Sequence, residues 1–165
     1  MTQLADVPVD QDPKIWSNWQ EGAFLGRATV QVTPELLKKY VGGIHKKNPA
    51  YEKPGPDGKQ IVATCAITRE VQKLTLNPPA TAVPHTARNA GQEYEFIRPI
   101  YIGDTLTLTA NAAYMRPAGG GNRVIYASAV TAVNQDGEEV AKITFHRTYM
   151  TRGEPRRTLL EKQQS

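Results

Sequence analysis

Alternating and helix-spaced apolar positions divide most of the chain into elements. Between Phe24 and Val32, Ala28, Val30 and Val32 alternate with Thr29 and Gln31, the period of a strand with one buried face. Thr33-Pro34-Glu35 then opens a helix, with a hydroxyl to cap it, proline at the first helical position and an acid against the helix dipole. Leu36, Leu37 and Tyr40 supply its apolar stripe, and Gly42-Gly43 end it. Tyr51 to Gln60, with two prolines and two glycines, reads as an exposed loop. Ile61 to Leu76 places apolar residues at 62, 66, 67, 71 and 74, close to helical spacing, and predicts a mainly helical segment although Thr and Val favour an extended start.

Asn77-Pro78-Pro79 breaks that segment, and Pro84 keeps the chain irregular until a sheet begins near Gln92. In Thr105 to Met115, Leu106, Leu108, Ala110 and Ala112 alternate with threonines, as in a half-buried antiparallel strand. Gly119-Gly120-Gly121-Asn122 returns the chain into a strand from Val124 to Val133. Asn134-Gln135-Asp136-Gly137 closes a hairpin onto a last strand from Glu139 to Met150. Both faces of the Val124 to Val133 strand are partly apolar, which places it centrally. The order predicts an α+β layer, a curved antiparallel sheet wrapped around a central helix. Ahead of it, Pro13 to Trp19 predicts a short helix capped by Asp12, whose Trp16 and Trp19 need burial against the sheet edge.

Composition narrows the chemistry. A chain of 165 residues suits one domain with its own core. Cys65 is the single cysteine, which rules out an internal disulfide and a cysteine-rich zinc site and favours a reducing, cytoplasmic home. No apolar run is long enough to span a bilayer. The formal charge of +4 comes from 20 basic and 16 acidic residues mixed along the chain, without the basic face of a nucleic-acid reader. An anionic carrier such as coenzyme A fits that charge. The three histidines have no metal-ligand spacing, and no Gly-x-Ser-x-Gly or phosphate-loop motif is present.

The stretch from Gly91 to Asp104, Gly-Gln-Glu-Tyr-Glu-Phe-Ile-Arg-Pro-Ile-Tyr-Ile-Gly-Asp, resembles the strand entry of MaoC-like hot-dog domains. Its most specific part, Arg98 to Asp104, has structural physics: a proline that interrupts a ladder and a Gly-Asp turn into the next strand. The resemblance covers roughly Ala28 to Tyr149 and implies a hot-dog fold paired into a double hot dog. Polar composition at both ends adds a flexible amino terminus (1–13) and a basic flexible tail (151–165) to the hot-dog domain (14–150).

In catalytic members of that family an Asp-x-Asn-Pro-x-His motif follows the first helix, and its Asp and His activate a water for an enoyl thioester. Here the segment reads His45-Lys46-Lys47-Asn48-Pro49-Ala50-Tyr51. Aligned on Asn48-Pro49, Lys46 takes the aspartate position and Tyr51 the histidine position. A lysine, with a reference pKa of about 10.4, and a tyrosine, near about 10, are poor bases at neutral pH. Asn89-Ala90-Gly91-Gln92 is similar to the His-Ala-Gly-Gln stretch that borders the family's acyl tunnel, with Asn89 in place of the histidine. The resemblance makes Asn89, Ala90, Gly91 and Gln92 substrate-binding candidates, with Arg116, Arg123 and Lys142 as cations for thioester phosphates. His85 sits in a loop before the sheet, and His146 shares a polar strand face with Lys142, Thr144 and Thr148, solvated or at an interface.

The expectation is a non-catalytic or degenerate subunit of a heteromeric (R)-specific enoyl-CoA hydratase, or 3-hydroxyacyl-CoA dehydratase, in fatty-acid or steroid side-chain metabolism. It would shape the acyl tunnel while a catalytic MaoC-like partner supplies the Asp and His. The resemblance implies coenzyme A thioester as substrate and no cofactor or metal. Two alternatives stand beside it: a homodimeric hot-dog thioesterase or hydratase using His45, or His85 with Glu93, and a non-enzymatic acyl-CoA-binding module.

Overall fold

The computed structural model describes residues 20–41, 48–76, 87–118 and 123–150. The predicted helix at Pro13 to Trp19, Lys46, His45, His85 and the basic tail lie outside them. The described residues build a strand β1 (Phe24–Gln31), a helix α1 (Pro34–Val41), 3-10 turns at Pro49–Tyr51 and Thr64–Ile67, and a helix α2 (Thr68–Leu76). Four further strands follow: β2 (Arg88–Phe96), β3 (Thr105–Ala118), β4 (Arg123–Val133) and β5 (Glu139–Met150).

The strands form one antiparallel sheet in the order β1-β3-β4-β5-β2, so β4 is central, as its two apolar faces predict. The sheet's inner face is lined by Leu106, Leu108, Ala110 and Ala112 of β3, Val130 and Ala132 of β4 and Ile143 and Phe145 of β5, all buried. Val71 and Leu74 of α2 complete the core from the other side. Alternation puts every second residue on this face, so the period-two reading holds along β5 and along β3 as far as Ala112, where a bulge before Tyr114 shifts the register. The result is the curved sheet and central helix of a hot-dog fold.

Local chemistry sets the element ends. The Leu36 N–H donates to Thr33 Oγ1 at 3.2 Å, the capping bond foreseen for α1. The Ile61 to Leu76 segment differs from its helical prediction at the start. Ile61 bridges Tyr101 and the Val62 N–H donates to the Ile100 carbonyl, so this end is extended before Thr64–Ile67 tightens into α2. All five apolar positions that predicted the helix are buried nonetheless. The sheet also begins earlier than Gln92, at Arg88, because a bulge between Asn89 and Gly91 lets the register restart.

The Arg98 to Asp104 segment is a corner. Gly103 has φ +98°, a conformation that favours glycine, and its N–H donates to the Val32 carbonyl. Asp104 Oδ2 accepts from the Tyr101 N–H at 2.8 Å and Oδ1 accepts from Gln135 Nε2 at 3.2 Å, tying the corner to the β4–β5 hairpin. Among the described residues no helix is long and apolar enough to cross a membrane.

Replacing Asp104 with alanine strands the half-buried Tyr101 N–H and should lower unfolding stability by about 1–2 kcal/mol. Gly103→Ala, strained at positive φ, should cost roughly 1 kcal/mol. Urea denaturation followed by circular dichroism measures both, and an Asp104→Ala protein as stable as the parent would contradict this account of the corner.

Candidate functional site

Two groups of residues combine polar chemistry with burial, one on each face of the sheet, and a third site surrounds the sequence-predicted turn. That turn is the 3-10 segment Pro49–Tyr51. Asn48 is its cap, its Oδ1 accepting from the Ala50 N–H at 3.1 Å. Gln60 Nε2 donates to the Tyr51 carbonyl at 2.7 Å, anchoring the turn to the chain that pairs with Tyr101. Tyr51 packs against the core and, with Ile61, Val62 and the Phe96 to Ile100 segment, lines an open cavity of about 280 Å³. Asn48 is spent on the backbone, and Tyr51 carries a packed aromatic ring.

The inner face holds a group that the sequence reading missed. Arg147 of β5 is only 3% exposed. Its Nη2 donates to Thr75 Oγ1 of α2 at 3.1 Å, and its guanidinium lies 5.7 Å from the centre of the Phe145 ring. The Thr75 hydroxyl in turn donates to the Val71 carbonyl at 3.0 Å. Arg147 Nε and, on β4, Ser128 Oγ have no hydrogen-bond partner among the described residues. A cavity of about 250 Å³ opens here, lined by Gln72, Ala87, Arg88, Asn89, Phe145 and Arg147. Burial pulls the Arg147 guanidinium below its ordinary value, opposed by Tyr126 beside it. Burial pushes the Tyr126 phenol well above its ordinary value, and the Arg147 charge opposes that shift. The signal available in the sequence was an arginine in step with Ala141, Ile143 and Phe145, the apolar face of β5.

The outer face carries a relay. His146 Nδ1 lies 2.7 Å from Tyr114 Oη and its Nε2 lies 2.9 Å from Glu93 Oε1. An ionised carboxylate only accepts, so the ring donates from Nε2, and in the neutral tautomer this leaves Nδ1 to accept from the tyrosine hydroxyl. Tyr114 and His146 are cross-strand partners on either side of Ala127, and Ala127 is wholly buried beneath them. His146 is therefore a bound, half-buried group rather than a solvated one.

The four candidates of the Asn89 to Gln92 stretch do not act together. The bulge sends Asn89 to the Arg147 cavity and leaves Ala90 exposed without a register partner. Gly91 faces the outer cluster, where an added Cβ would stand 3.6 Å from His146 Cδ2, and Gln92 Oε1 accepts from the Tyr94 hydroxyl at 3.0 Å. Arg116 lies on the outer face with its guanidinium 5.2 Å from the Tyr114 ring centre, and Arg123 is exposed at the start of β4. Lys142 pairs with Glu139 at 3.0 Å, which raises its pKa. The three proposed cations thus lie away from the inner cavity.

Neither a family model nor the sequence of a curated protein matches the chain at a significant level. Solved structures do match its fold. A MaoC-like dehydratase from Rhodospirillum rubrum superposes with a TM-score of 0.63 at 17% identity, over 84% of this chain and 98% of that one. The unliganded R-hydratase PhaJ1 from Pseudomonas aeruginosa gives 0.63 at 16% identity, over 88% and 96%. The ChsH1-ChsH2 complex from Mycobacterium tuberculosis gives 0.61 at 15% identity, over 78% and 96%. The fold is the hot-dog fold, the one that MaoC-like dehydratases and R-hydratases share.

The inner pair predicts the alkaline behaviour of the fold. In the unfolded chain the Tyr126 phenol ionises at about pH 10, whereas burial holds it neutral to higher pH in the folded state. Its contribution to stability is complete below that value and is lost as pH rises toward the folded-state value. The urea midpoint of the parent should fall more steeply above about pH 10 than that of Tyr126→Phe. Parallel slopes would remove Tyr126 from this role.

Proposed function

We propose that this chain is the non-catalytic half of a heteromeric enoyl-CoA hydratase, or 3-hydroxyacyl-CoA dehydratase. It shapes the space for the acyl group, and a paired hot-dog chain contributes the Asp and His that add water across the carbon-carbon double bond. The observation that carries this reading is the turn at Asn48 to Tyr51. Its cap is intact, but a tyrosine packed against the core occupies the position matching the catalytic histidine. Lys46, at the position matching the aspartate, belongs to the same reading.

Pairing is supported by the sheet itself. β2 is an edge strand, and Phe96 and Ile97 at its end are 40% and 42% exposed. An unpaired edge beside exposed apolar side chains is a template for another sheet. The assembly of the ChsH1-ChsH2 neighbour as a complex of two chains lends the same support. Dividing a tunnel between a catalytic and a shaping half lets the second vary without disturbing the chemistry of the first. A coenzyme A thioester is the substrate class this proposal implies.

A second reading has one observation in its favour, the hydrogen-bonded Glu93-His146-Tyr114 relay, which holds a carboxylate, an imidazole and a hydroxyl in series. It lies on the outer face, away from the inner cavity. The chain alone should show no hydration of crotonyl-CoA or longer enoyl-CoA esters, and co-purification with a catalytic hot-dog partner should bring activity at least about 100-fold above background. In that complex Tyr51→Phe should leave kcat within about twofold, because the group is not asked to transfer a proton. Activity of the isolated chain that disappears in His146→Ala would replace this proposal with the second reading.

A further inference from the structure

We infer that the inner face of the sheet carries a carboxylate-binding site built on Arg147. Its natural occupant is the free carboxylate of a short carbon chain, either a small acid or the far end of an acyl thioester. The assignment to an acyl group rests on the hydratase reading above, whereas the anion site itself does not.

The argument starts from an unbalanced charge. Arg147 is 3% exposed, yet the described ion pairs are Lys73–Glu70, Arg98–Glu138 and Lys142–Glu139, and none involves it. A guanidinium stays protonated at neutral pH even when burial disfavours its charge. Buried charges are ordinarily paired, because desolvation is costly unless an opposite charge and hydrogen bonds offset it. Here one bond to Thr75 and the face of Phe145 are the described contacts, and Nε has no hydrogen-bond partner among the described residues. The buried Tyr126 phenol beside it is held neutral and supplies no negative charge.

The sequence sharpens the point. The internal segments 42–47, 77–86 and 119–122 contain no aspartate or glutamate, so acids beyond the described residues are confined to Asp6, Asp10, Asp12, Glu154 and Glu161 near the chain ends. The cavity at Arg147 is suited to an outside anion. At about 250 Å³ it lies near the lower end for small-molecule sites, about 300 Å³. Phe145 and Ala87 offer it apolar wall, and the amides of Gln72 and Asn89 can donate to a carboxylate oxygen. One buried cation matches the single charge of a carboxylate, and its planar fork matches the two oxygens.

Isothermal titration of the full chain, and of its complex with a catalytic partner, should use hexanoate, hexanoyl-CoA and adipoyl-CoA as probes. The last keeps a free carboxylate and the second does not. Adipoyl-CoA binding at least about tenfold tighter than hexanoyl-CoA, with the advantage lost in Arg147→Met, establishes an acyl-end site. Saturable, Arg147-dependent binding of hexanoate without that advantage supports the carboxylate site and assigns it to free acids. It would leave the hydratase reading to its own assay.

Arg147→Met should also raise the thermal midpoint of the ligand-free protein, since an unbalanced buried charge is replaced by an apolar chain. A purely structural arginine would lower it. Asn89→Leu, a change at the cavity mouth that leaves Arg147 in place, should weaken hexanoate or adipoyl-CoA binding if Arg147→Met does not fold. Failure of hexanoate and adipoyl-CoA to bind either preparation, or binding unchanged in both variants, overturns the inference.

Discussion

Everything else in this protein depends on burying one short helix against the concave face of the sheet. Val71 and Leu74 of α2 share one buried cluster with Leu106, Leu108, Ala110, Ile143 and Phe145 of the sheet. The helix is also fastened at both ends by polar bonds. The Tyr94 hydroxyl of β2 gives its one proton to Gln92 and accepts from the Thr68 hydroxyl at 3.1 Å, and Arg147 of β5 donates to Thr75. These bonds fix the orientation of a helix only nine residues long, which has little stability of its own.

That fastening gives the two faces different characters. The inner face is buried, so a charge placed there is felt strongly, and Arg147 and Tyr126 act on each other's titration. The outer face is partly wet and carries Glu93, His146 and Tyr114 in a satisfied hydrogen-bonded series. A residue's strand parity therefore decides which chemistry it joins, and one bulge is enough to exchange the two. Asn89 and Gly91 are two residues apart yet serve opposite faces, because the register restarts between them.

Much of the architecture could be read from the chain. The alternation of β3, β4 and β5 is long and unbroken by proline until the end of β3, the Thr33-Pro34-Glu35 start carries its own cap, and the Asn134 to Gly137 turn has glycine at φ +79° where the hairpin requires it. These signals are local, acting over a few residues, and tertiary packing agreed with them. The extended start of the Ile61 segment escaped because its partner, Tyr101, is forty residues away. The Asn89 to Gln92 candidates were treated as one lining because sequence shows adjacency but not a bulge.

The chemistry divides along the same line. Residue types alone excluded an internal disulfide and familiar hydrolase motifs. Those are statements about which groups exist, and a chain carries them in any conformation. The burial of Arg147, its hydrogen bond to a helix 72 residues away and the cavity beside it arise only when β5, β2 and α2 close around one another. Desolvation and mutual field depend on distance through space, and folding sets that distance.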